Sequence, residues 1–137
     1  YRDGKVEFYG SDLTYSSNDG NVSIRYRAIE ENIINAVTRT LELFKQTPII
    51  PPIVVYTTLM SVKGCSIHPG REYYYTSRIQ EIDRDMLLLP EVLIQDFNSG
   101  NSIDVVLKPI FDALWNAAGH LSCLGYEQRR SAAVKHQ

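Results

Sequence analysis

Two proline-interrupted apolar segments in the second half of the chain set the main limits on its fold. The first runs from Ile82 to Phe97 and carries Met86-Leu87-Leu88-Leu89, then Pro90-Glu91, then Val92-Leu93-Ile94-Gln95. Two short β-rich runs around a proline predict a strand broken at Pro90. A proline cannot donate to a sheet ladder, so it belongs at an edge or a bulge. The second segment spans Ile103 to Ala118 and repeats apolar residues at helical spacing. Leu107, Phe111, Leu114 and Ala118 form one face, with Ile110 and Trp115 flanking it. Pro109 lies inside this pattern, which predicts either a kink or a helix that starts near Lys108. Gly119 is a natural C-terminal cap. A strand region, a polar loop and a helix that packs back on the sheet are the minimum such a chain must build.

The first half adds the remaining elements. Lys5 to Tyr9 alternates, with Val6 and Phe8 on one side, and predicts a short half-buried strand. Ser11 to Asn21 is rich in Ser, Asn, Asp and Gly and reads as a loop turning at Asp19-Gly20. Asn21 to Arg27 alternates again, so a hairpin between the two runs is expected. Ala28 to Lys45 is the clearest helix, with Ile29, Ile33, Val37, Leu41 and Phe44 in one stripe that Ile34 widens. Glu30 and Glu31 near its start and Lys45 at its end suit the helix dipole. Thr47-Pro48 ends it. Pro51-Pro52 then leads into Ile53 to Val62, apolar on both faces and read as a central strand covered on both sides, or on one side plus a partner. Lys63 to Gly70 turns, and Glu72 to Ile79 reads as the antiparallel return strand. The expected fold is α+β: a mostly antiparallel sheet of four to five strands with two main helices, Ala28–Lys45 and Ile103–Ala118, packed on it. One domain covers 1–124, and 125–137 is a polar tail.

A length of 137 residues fits a single domain with a core of its own. The net charge of −2 excludes a domain-wide basic footprint for nucleic acid, though not a local patch. Two cysteines, Cys65 and Cys123, are too few for a disulfide framework. Apolar runs are broken well short of the roughly 18 residues a membrane helix needs, so no membrane partner is expected and a cytoplasmic location is the default. The chain opens on Tyr1 rather than Met and is read as a fragment or processed piece. On that reading the activity of the parent protein lies in sequence upstream.

Several phrases also resemble a known family. They are Pro52 to Leu59, Ile82-Asp83-Arg84-Asp85, Leu89-Pro90-Glu91-Val92 and Leu107 to Gly119. Together they are similar to the C-terminal region of bacterial proteins that carry a Schlafen AlbA-type domain upstream, a domain associated with DNA or ATP binding. The resemblance covers roughly Ile24 to Gly119 and consists of structural phrases rather than an active-site motif. It implies an accessory role in a larger, DNA-associated bacterial protein. The family's nucleotide and nucleic-acid site belongs to the upstream domain, so no site residue is carried over. After Gly119 the match lapses, where similar proteins continue with an acidic, aromatic segment and this chain reads His120 to Arg130.

Three constellations could carry chemistry. Cys65-x-x-His68 and His120-x-x-Cys123 offer four N/S ligands of the kind zinc takes in a tetrahedron. The alternative is that the cysteines are small core residues. Glu81, Asp83 and Asp85 share a face if their segment is extended, and residues 81–96 hold five acids against one Arg, a local charge of −4. Asp83, Asp85 and Glu91 could thus hold Mg²⁺ in a phosphodiesterase or nuclease. Alternatively they cap turns or pair with Arg84. Finally, Tyr73 and Tyr75 with Arg71 and Arg78 could stack single-stranded bases on a basic strand, or serve cross-strand packing. No nucleophile elbow or phosphate-binding loop is present. A thiol chemistry at Cys65 lacks an identifiable base. The leading expectation is therefore a non-catalytic accessory or assembly module. Its partner is an upstream domain of the parent chain, another protein or a second copy in a homo-oligomer, with nucleic acid as a further candidate.

Overall fold

The computed structural model describes residues 4–68, 80–97 and 100–123. Along the chain lie β1 (Thr14–Ser16), β2 (Val22–Ile24), α1 (Tyr26–Phe44), β3 (Ile53–Val55) and β4 (Thr58–Met60). They are followed by β5 (Met86–Leu88), β6 (Val92–Ile94), α2 (Ile103–Val106) and α3 (Lys108–Ala117).

The first hairpin forms where the turn chemistry is strongest. β1 pairs antiparallel with β2, Thr14 opposite Ile24 and Ser16 opposite Val22. Ser17 N donates to Asn21 O at 2.9 Å and Gly20 N to Ser17 O at 3.0 Å. Gly20 takes φ +84°, which a glycine adopts at no steric cost. Asp19 accepts hydrogen bonds from the Ser17 hydroxyl and the Asn21 amide. The Ser17 contact is the main reason its carboxyl lies below the usual range. The strand expected at Lys5–Tyr9 is not formed. The tight turn recruits the residues directly before it, Thr14–Ser16, and Phe8 and Tyr9 stay exposed with no facing strand among the described residues.

α1 begins at Tyr26, two residues before the expected start, and buries Tyr26, Ile29, Glu30 and Phe44. Ile33, Ile34 and Val37 pack partly buried against the core. The earlier start takes Glu30 and Glu31 out of the first turn. The dipole role expected of them is therefore lost, since that effect fades beyond one turn. At the far end Lys45 N reaches Leu41 O, and the Thr47 hydroxyl donates to Phe44 O at 2.9 Å.

β3 to β6 build a long two-stranded ribbon. β3 pairs antiparallel with β6, Val55 opposite Val92. β4 pairs antiparallel with β5, Thr58 opposite Leu88. Between these pairs Tyr56 and Thr57 face three residues, Leu89, Pro90 and Glu91, and Leu89 N donates to Thr57 O at 3.0 Å. One strand thus carries an extra residue at the proline, a β-bulge. The ribbon continues through Val62 N to Asp85 O (3.1 Å), Gly64 N to Ile82 O (2.9 Å) and Ile82 N to Cys65 O (2.8 Å). A parallel bridge between Ser23 and Ser66 sets β2 beside it. The α+β class and the antiparallel pairing hold. Among the described residues the regular strands pair in twos, and the single bridge places four extended segments side by side. The return strand expected at Glu72–Ile79 lies outside the described residues, as does the 125–137 tail.

The second helical region divides at Leu107. α2 ends at Val106 and α3 starts at Lys108 with Pro109 in its first turn, where the missing N–H costs no hydrogen bond. α3 ends in a Schellman cap: Gly119 N donates to Asn116 O and His120 N to Trp115 O, both at 3.0 Å. Gly119 has φ +83°, and a Cβ there would come within 2.7 Å of the Gln80 side chain. Leu107, Ile110, Phe111, Leu114, Trp115 and Ala118 are fully buried. They form one core with Ile24, Tyr26 and Ile29, and with Leu59, Leu87, Leu89 and Val92 from the ribbon.

Candidate functional site

Strand alternation gives the ribbon two faces. From Ile53 to Met60 the even-numbered side chains Val54, Tyr56, Thr58 and Met60 all point to solvent. On the other strand Met86 and Leu88 are exposed, and beyond the bulge Leu93 is. The pairing puts Met60 opposite Met86, Thr58 opposite Leu88 and Val54 opposite Leu93. Six large apolar side chains therefore lie on one outer surface, with exposures from 44% for Val54 to 74% for Tyr56. Glu91, at the bulge, is the one charged residue in Val54–Met60 and Met86–Leu93. The run Ile53–Val62 was expected to be covered on both sides, or on one side plus a partner; among the described residues the helices cover one face. Helices that pack only on the inner side leave the outer residues bare.

The inner side of the fold holds a polar cluster. Glu30 is 0% exposed, and its Oε1 accepts hydrogen bonds from the Trp115 indole N–H at 3.0 Å and the Cys123 thiol at 3.2 Å. The Tyr26 and Trp115 rings meet edge to face at 4.7 Å, and the Trp115 and His120 rings at 5.1 Å. Asp112 accepts from Cys123 N at 2.9 Å and pairs with Lys108 at 2.5 Å. The Schellman cap explains how His120 arrives: its backbone N–H is bonded one turn back, which lays its ring against Trp115. A buried carboxyl group that gathers indole and thiol hydrogen bonds ties α1 to α3 and to the segment after it, because a buried polar group is costly unless it is bonded. Glu30 was missed as a core residue, although its position shows it. It falls four residues after Tyr26 and three before Ile33, inside the apolar stripe.

The two Cys/His pairs come close as segments but not as a ligand set. His120 Nε2 lies 3.2 Å from Ile67 O, one residue before His68. His68 Nε2 lies 3.1 Å from the Ser66 hydroxyl, and Cys123 is bonded to Glu30. Among the described residues, no group of three or more His, Cys, Asp or Glu side chains is placed to hold a metal ion. Cys65 is buried, and burial, with Glu81 adding to it, pushes its thiol up from its ordinary value. That favours the thiol over the reactive thiolate.

The acidic candidates do not converge either. Asp83, Asp85 and Glu91 are all exposed. Asp83 pairs with its neighbour Arg84 at 2.8 Å, and that hydrogen bond and charge hold its carboxyl below the usual range. Arg71, Tyr73, Tyr75 and Arg78 lie outside the described residues. A separate cavity of about 200 Å³ opens between the end of α1, β6 and α2, with Leu41, Ile94 and Val106 in its wall and Glu42 and Lys45 at its rim. It includes none of Cys65, His68, His120, Cys123, Asp83, Asp85 and Glu91. No helix among the described residues is long and apolar enough to cross a membrane. No family model, curated protein or solved structure matches this chain.

Proposed function

We propose that this domain is a non-catalytic assembly module of a larger protein, and that the outer face of the ribbon is its contact surface. The observation that carries the reading is the row Val54, Tyr56, Met60, Met86, Leu88 and Leu93, exposed together across paired strands. Single exposed apolar residues are ordinary, but a contiguous patch of several hundred Å² marks an interaction site on a folded chain. Methionines suit such a surface, because their flexible, polarizable side chains adapt to the shape that meets them. The dispersed acids and the raised Cys65 thiol give no support to an enzymatic role. The bacterial, DNA-associated setting implied by the resemblance is part of the proposal.

The test is binding of an environment-sensitive apolar dye to the folded chain. The parent is expected to enhance dye fluorescence, and Leu88→Glu to lose most of that signal while keeping the parent's circular dichroism and melting temperature. Equal dye binding by both proteins would sink the reading. Mg²⁺-dependent cleavage of DNA that disappears in Asp83→Asn would replace it with the nuclease alternative.

A further inference from the structure

We draw no further inference here: the strongest candidate, the exposed apolar face of the β3–β6 ribbon formed by Val54, Tyr56, Met60, Met86, Leu88 and Leu93, belongs to the contact surface already described, and nothing in the structure shows what covers it.

Discussion

Leu87 and Leu88 are neighbours in β5 with the same side chain, yet Leu87 is 7% exposed and Leu88 71%. The same contrast runs the length of the ribbon. Leu59, Leu87, Leu89 and Val92 join the core under the helices, while Val54, Met60, Leu88 and Leu93 face outward. Both sides are rich in large apolar residues, so apolar content alone does not decide which side is buried. The deciding factor is which side the helices reach. α3 delivers Phe111, Leu114 and Trp115 to one side, and no described element covers the other. A ribbon that is apolar on both faces but covered on one by the described elements leaves a large apolar surface open, and that is why the outer face is proposed as a contact site.

The largest expected effect tests this contrast directly. Leu87→Ala should cost about 2–5 kcal/mol, the range for removing a buried leucine and leaving a cavity. Leu88→Ala should stay within about 0.5 kcal/mol, as exposed positions do. Urea denaturation of both variants, at a concentration where the chain is monomeric, decides the matter. Equal costs would erase the distinction between the two faces.

Next is the polar cluster that seals the covered side. Glu30→Ala leaves the Trp115 indole N–H and the Cys123 thiol without their buried acceptor and should cost about 1–3 kcal/mol. Glu30→Gln keeps an oxygen acceptor in place and should recover much of that loss. If Ala and Gln behave alike in the same denaturation assay, the carboxyl group does not organise the core. A smaller effect is expected from Gly119→Ala. A left-handed backbone costs a residue with a Cβ about 1–2 kcal/mol, and Gln80 must also move. The loss should appear as a lower melting temperature with weakened near-ultraviolet signal from Trp115, because His120 is laid on that ring through the cap.

The smallest effect belongs to the exposed side. Arg84 lowers the pKa of Asp83 in the folded chain, so the pair's stabilisation is present above the ordinary carboxylate range. It is lost as pH falls through the depressed folded value. Asp83→Asn should therefore lower the urea midpoint slightly at neutral pH and leave it unchanged in strong acid. Because the pair is solvent-exposed, added salt should shrink even the neutral-pH difference. A large or salt-insensitive loss would mean that the acidic loop has a structural role the exposed geometry does not give it.

Where local chemistry and packing agree, the sequence was readable. The stripe of α1, the break before Pro109, the cap at Gly119 and the irregularity at Pro90 all follow from period, steric exclusion and backbone freedom. The failures have a common physical source. Lys5–Tyr9 has the alternation of a strand, but alternation does not supply a partner, and the turn at Asp19-Gly20 recruited a different segment. Ile53–Val62 has two apolar faces, and local pattern left open whether one or both would be covered. Glu30 looked like a surface acid at a helix start because charge outweighed its position in the stripe. Cys65, His68, His120 and Cys123 have ligand-like spacing, but hydrogen bonds to Ser66, Ile67 and Glu30 engage three of them.

The bulge at Pro90 also bears on how this chain can change length. In β5 and just after it, the odd-numbered Leu87 and Leu89 point inward. After the extra residue the even-numbered Val92 and Ile94 do. The opposite strand keeps one parity from Ile53 to Met60. The bulge is thus a phase shifter: it inverts the inside–outside rhythm of one strand against a partner that keeps time. Deleting one residue there would restore plain alternation, leaving Val92 and Ile94 inward and Leu93 outward while removing the bulge and its local twist. A residue lost at the hairpin tip Ser17–Gly20 removes part of a hydrogen-bonded turn, whereas one lost at Pro90-Glu91 removes only the irregularity and keeps the core-facing and solvent-facing residues of β6 in place.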